Sequence, residues 1–138
     1  MPHSRSVDNS GVVITTLSGM VTLKEFVEIQ IELRSYIHEG EVYELVLHSD
    51  DFRTALDGDE TLTSAESLQN LLKGVRRAAI AFVSRQAFAY GLCRQLQMRA
   101  QSEFVQICVF RTEETARAWL REMQLSNKSR ATTADGLV

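Results

Sequence analysis

The chain has 138 residues, 44% of them hydrophobic and 24% charged, which is enough to bury one core without staples and excludes disorder as the main state. Its net charge of −3, from 15 basic and 18 acidic side chains, lacks the basic excess with which nucleic-acid binders neutralise phosphates. The pair Arg76-Arg77 is too short to make a patch. Cys93 and Cys108, the two cysteines, sit in apolar patterned segments and read as buried thiols; a disulfide framework needs more cysteines, and zinc needs closely spaced ligand pairs. The first residues, MPHSRSVDNSG, contain no apolar h-region. No run approaches the roughly 18 apolar residues of a spanning helix. The expectation is a soluble, cytoplasmic protein with no metal or cofactor, whose membrane contact would be peripheral.

Residues 3–7 suit a short edge strand, and Asp8-Asn9-Ser10-Gly11 a turn. The β-branched residues 12–17 predict a second strand, completing an N-terminal hairpin. Thr22 and Glu25 have the spacing of a capping box, which satisfies free N–H groups at a helix start. Phe26, Ile29, Leu33 and Ile37 follow at helical spacing, Val27 and Ile31 widen that face, and Gly40 is a stop. Residues 43–47 predict a buried strand. Residues 49–60 are polar and acidic and read as a solvated loop. The carboxylates of Asp50, Asp51, Asp57, Asp59 and Glu60 lack the alternate spacing of a calcium loop. Thr63 and Glu66 are a second capping box, with Leu68, Leu71, Leu72 and Val75 facing inward.

Residues 78–83 predict a third buried strand, with Ser84 as cap for a helix over 85–102. Phe88, Leu92, Leu96 and Ala100 form its inner stripe, beside Ala89 and Cys93. Residues 104–110 make the last strand, and Thr112 caps a closing helix whose Glu113 and Glu114 suit the dipole. Its buried face is Ala116, Trp119, Leu120 and Met123. Residues 126–138 lose periodicity and read as a flexible tail, so the domain is expected over 1–125. Strands alternating with helices predict one α/β domain with a mainly parallel sheet, an antiparallel N-terminal strand and about four helices.

Several segments carry a family resemblance. They are Leu17-Ser18-Gly19-Met20-Val21-Thr22 leading into a helix, Tyr43-Glu44-Leu45-Val46-Leu47, and Arg77-Ala78-Ala79-Ile80-Ala81-Phe82-Val83. Val109-Phe110 and Glu114-Thr115-Ala116-Arg117-Ala118-Trp119-Leu120 close the pattern. In this order and spacing they resemble the SpoIIAA-like, STAS-related family over about residues 3–124. The resemblance implies a bacterial, non-enzymatic domain related to anti-sigma factor antagonists and, more distantly, to Sec14/CRAL-TRIO lipid carriers. An apolar or lipid-like ligand, a membrane surface or a regulatory protein partner would follow from it. Antagonists carry a phosphorylatable serine in an Asp-x-Ser-Gly turn. Here the turn is Leu47-His48-Ser49-Asp50-Asp51-Phe52, with carboxylates where the glycine belongs, and they would repel a phosphate.

Ligands of open α/β sheets bind outside the carboxyl ends of the strands. That places His48, Ser49, Asp50, Ser84, Arg85, Arg111 and Thr112 on one candidate rim for an anionic or polar head group, with helix N-termini beneath two of them. The competing reading is that Ser84 and Thr112 only cap and that the arginines pair with Asp50 or Asp51. His48, Ser49 and Asp50 have the residue types of a hydrolytic triad, but consecutive residues near a strand end point to alternate sides. No Gly-x-Ser-x-Gly elbow or glycine-rich phosphate loop is present. Ala87, Gly91 and Met98 share a second face of their helix and suit a homodimer seam or a membrane lid, unless they are scattered surface residues. A pocket is expected between the sheet and its helices, with residues 49–74 as the gate.

Overall fold

The computed structural model describes residues 3–136, and beyond Ser126 the backbone alone. Five strands lie side by side in chain order: β1 (His3–Val7), β2 (Val13–Leu17), β3 (Glu41–His48), β4 (Arg77–Val83) and β5 (Val105–Phe110). β1 runs antiparallel to β2, and the other pairs are parallel. Burial explains the sequence patterns. β3 and β4 are central, covered on both faces, and read as continuous apolar runs. β2 and β5 alternate between buried and half-buried residues, the period-2 signature of a strand with one deeper face.

The strand order decides where the helices lie. α1 (Leu23–Leu33), α2 (Gly58–Leu71) and α3 (Ala87–Ala100) each carry the chain one strand over, always in the same direction. Right-handed crossovers that step the same way pass over the same face. Val13, Val46, Ile80 and Ile107 of the sheet therefore pack with Ile29, Leu33, Leu68 and Leu96 of those helices. The opposite face, with Tyr43, Leu45, Ala79 and Ala81, is covered by Ala116 and Leu120 of α4 (Glu113–Gly136). The alanines of β4 leave room for α4 to approach. Leu120 is fully buried there, and truncating such a leucine to alanine costs about 2–5 kcal/mol.

The first capping box forms as read: Thr22 Oγ1 accepts from the Glu25 amide at 3.3 Å and Glu25 Oε1 accepts from the Thr22 amide at 3.0 Å. The helix is shorter than its apolar spacing suggested. It tightens into a 3₁₀ turn over Arg34–Tyr36, Ile37 is extended, and Ile31 faces out. Gly40 does not stop a helix. Glu39 and Gly40, with φ of 53° and 79°, form a two-residue turn in which His38 and Glu41 exchange backbone hydrogen bonds at 2.9 Å. Positive φ at both central residues defines that turn and suits glycine.

Other expectations are corrected as well. α2 starts at Gly58, capped by Asp57, whose Oδ1 accepts from the Glu60 amide at 2.8 Å. Thr63 lies inside that helix and donates to the Asp59 carbonyl at 3.1 Å. Ser84 does not cap α3: it is buried, its hydroxyl donates to the Gln86 carbonyl at 3.4 Å, and Gln86 holds the cap position without a side-chain bond. The inner stripe of α3 is Ala89, Cys93, Leu96 and Ala100, with Phe88 turned out and 62% exposed. Close packing against α2 favours the small residues over the phenyl ring. Cys108 is half-buried rather than buried, and both cysteines are free. α4 is capped by Thr112, which accepts from the Thr115 amide at 3.2 Å. It continues as helix to Gly136, through the segment read as a tail.

Candidate functional site

β3 places Val42, Glu44, Val46 and His48 on the face beneath α1, α2 and α3, because alternate residues of a strand share a side. A carboxylate in that series needs a partner. Arg5, on β1 opposite Thr15 of β2, supplies it. Arg5 Nη2 donates to Glu44 Oε2 at 2.9 Å, Nε donates to Thr15 Oγ1 at 2.8 Å, and Nη1 donates to the Ile29 carbonyl at 2.8 Å. Thr15 Oγ1 donates in turn to Glu44 Oε2 at 2.6 Å. The side chains of Arg5 and Glu44 are only 5% and 6% exposed. Such a pair persists in a low-dielectric interior because its donors and acceptors are matched.

At the other end of the face, His48 stacks on Phe52, with ring centroids 4.1 Å apart and planes 15° from parallel. Phe52 meets Phe26 edge-on at 6.3 Å. Phe52 is fully buried and anchors the connection that the sequence presented as solvated. That connection is also tied by backbone bonds. Arg53 donates to the Gly19 carbonyl at 2.8 Å, and the Val21 amide donates to the Arg53 carbonyl at 2.9 Å. Burial pulls the His48 imidazole down to a pKa of about 4, because desolvation disfavours the cation. The ring is therefore neutral at physiological pH.

Between these two polar ends lies a cavity of about 80 Å³ under α1, α2 and α3. Its walls are chiefly apolar, with Leu17, Val46, Ile80, Phe82, Leu68 and Leu96 among them. One water needs roughly 10–15 Å³ of such space, so several waters or a small organic molecule would fit. Gln30, His48 and Thr54 also line it. Gln30 Nε2 donates to Ser64 Oγ at 3.1 Å. Gln30 Oε1, His48 Nδ1 and Thr54 Oγ1 are buried with no hydrogen-bond partner. Buried polar atoms are normally satisfied, and each exception carries a desolvation cost of about 1–3 kcal/mol. Cys93 lies on the same wall, where burial pushes its thiol up to about 12, so it is an inert packing group.

Apart from His48, the candidate rim residues lie elsewhere. Ser49, Ser84 and Arg111 follow the ends of the adjacent strands β3, β4 and β5, and backbone bonds link Ser49 to Leu17 and Ser84 to Phe110 at 3.0 Å. Gln86 Nε2 reaches the Asp50 carbonyl at 3.2 Å, which ties two of the loops together. Arg111 lies over the Tyr90 ring at 4.1 Å, and Arg85 is exposed. Of the candidate rim residues only His48 lines the cavity. The crevice rule applies where strand order reverses, and this sheet has no reversal. α1, α2 and α3 all cover one face, and the cavity lies beneath them. His48, Ser49 and Asp50 do not converge: His48 faces the helices while the Ser49 hydroxyl donates to the Asp51 carboxylate. That bond holds Asp51 below the usual carboxylate range, aided by the Gly19 backbone.

Ala87, Gly91 and Met98 are all exposed on α3, with Phe88 beside them. No helix among the described residues is long and apolar enough to cross a membrane. No group of His, Cys, Asp and Glu among them could hold a metal ion. Sequence reasoning passed over Arg5, Thr15, Gln30, Glu44 and Thr54. Glu44 alone left a signal, as a carboxylate in the middle of an apolar strand.

A family model described as SpoIIAA-like matches residues 12–121, from β2 to the buried turns of α4. No curated protein and no solved structure matches the chain.

Proposed function

The chain belongs to the SpoIIAA-like family, and from that premise we propose that it is a non-enzymatic binding domain holding a small, largely apolar molecule beneath α1–α3. The observation that carries this reading is the apolar cavity of about 80 Å³ between the sheet and those three helices. Ligand sites are concave, mostly apolar and marked by a few placed polar groups. The volume bounds the ligand. Drug-sized pockets measure about 300–1,000 Å³, so a long acyl chain would enter only if the helices moved off the sheet. α2 is the natural wall to move, since Leu68, Thr61 and Ser64 line the cavity from it. A lipid or a membrane surface is thus a weaker fit than a compact molecule.

The regulatory reading, by phosphorylation in the manner of the anti-sigma antagonists, has less support. Ser49 is the only hydroxyl in the relevant turn, its proton is engaged by Asp51, and Asp50 follows it directly. A phosphate there would meet two carboxylates.

Native mass spectrometry of gently purified protein tests the proposal, with an Ala89→Phe variant as control because Ala89 lines the cavity. The expected result is a small noncovalent mass on the wild type that the filled variant lacks. Ligand-free masses for both proteins, or the same adduct on both, would sink it.

A further inference from the structure

The cavity is not a plain hydrocarbon pocket. Gln30, His48 and Thr54 all line it, and each carries a buried polar atom, Oε1, Nδ1 and Oγ1 respectively, without a partner. These atoms come from three different segments: α1, the end of β3, and the connection to α2. Polar atoms buried without a protein partner are costly, and an apolar occupant would leave them so. The charged groups of the wall cancel, because Arg5 is paired to Glu44 at 2.9 Å. His48 is neutral at physiological pH. A net-charged ligand would find no counter-charge to offset its desolvation.

We infer that the cavity selects a small neutral molecule whose apolar body carries a hydroxyl or carboxamide, hydrogen-bonded by Gln30, His48 and Thr54. The inference rests on the cavity being the ligand site. A hydroxyl can donate to Gln30 Oε1 or to an imidazole nitrogen, and can accept from Thr54 Oγ1. A carboxamide offers the same two capacities. A carboxylate, which only accepts, leaves the Gln30 carbonyl unpaired and brings a charge.

Isothermal titration with phenol, benzene and benzoate tests the inference on wild type, Thr54→Val and His48→Phe. Both substitutions keep the approximate shape of the side chain. One net hydrogen bond corresponds to roughly a three- to tenfold change in affinity. The wild type is expected to bind phenol at least about fivefold more tightly than benzene, with that ratio reduced severalfold in each variant. Benzoate is expected to bind more weakly than phenol by at least tenfold. Without ligand, each variant should melt higher than wild type, because an orphaned polar atom is removed. A phenol-to-benzene ratio unchanged in both variants overturns the inference while leaving the cavity as a ligand site. So does benzoate binding as tight as phenol, or a lower melting point in both variants, which would mean that water already satisfies these atoms. Binding of none of the three compounds removes the cavity reading and the inference together.

Discussion

Replacing Arg5 by methionine removes the partner of a buried carboxylate. The guanidinium makes three hydrogen bonds, to Thr15, Glu44 and the Ile29 carbonyl, at 2.8–2.9 Å. Without it, Glu44 keeps only the Thr15 hydroxyl as a donor. Its side chain is 6% exposed, so water cannot take over without opening the core. Breaking such a pair from one side costs about 3–5 kcal/mol, a large part of the roughly 5–15 kcal/mol that holds a typical domain together. Glu32 also faces Arg5 at 3.6 Å, but its side chain is 56% exposed and contributes little. Urea unfolding of wild type, Arg5→Met, Glu44→Met and the double variant measures the effect. With a urea slope of about 2 kcal/mol/M, each single variant should lose roughly 2 M in midpoint. The double variant should return close to wild type, since replacing a whole buried pair by apolar groups is often neutral. A loss below about 1 kcal/mol in Arg5→Met, or a double variant as unstable as the singles, refutes the reasoning.

His48 gives a pH signature. Its folded pKa lies near 4 against an ordinary 6.5, so between those values the unfolded chain binds a proton that the folded one does not. Stability is unaffected above 6.5 and falls as pH drops toward 4, by about 3 kcal/mol in total. Chemical denaturation across pH 4–7 should show this slope in wild type and a clearly shallower one in His48→Phe, where only depressed carboxylates such as Asp51 still contribute near pH 4; an equal slope in both contradicts the assignment. Asp57→Ala should cost about 1 kcal/mol and Thr63→Ala only a few tenths, because Asp57 caps α2 and Thr63 lies inside it; thermal melts that reverse this order would return the helix start to Thr63.

The architecture was legible because apolar runs and helical stripes alternate along the chain, and right-handed crossovers allow few arrangements of them. The start of α2 was not. Asp57-x-x-Glu60 and Thr63-x-x-Glu66 both have capping-box spacing, and Gly58 beside clustered acids looks like a loop. The acids in fact sit in the first turn, where the helix dipole favours them. The face of α3 was rotated because Phe88 outweighs Ala89 in any apolar count, whereas packing selects by fit. The site was the least legible part. Arg5, Thr15 and Glu44 come from three strands, and only the sheet register brings them together. Phe52 was hidden among aspartates. The rim drew attention because it follows a rule made for sheets whose strand order reverses. Sequential order instead piles three helices on one face and leaves a cavity beneath them.

A phenol titration followed by backbone amide shifts separates the cavity beneath α1–α3 from the rim most directly. Saturable shifts are expected at Val46, Ile80, Phe82 and Ala89, around the cavity, with Arg85, Arg111 and Thr112 unmoved. Shifts confined to those three residues, or no shifts at all, would contradict binding in the cavity.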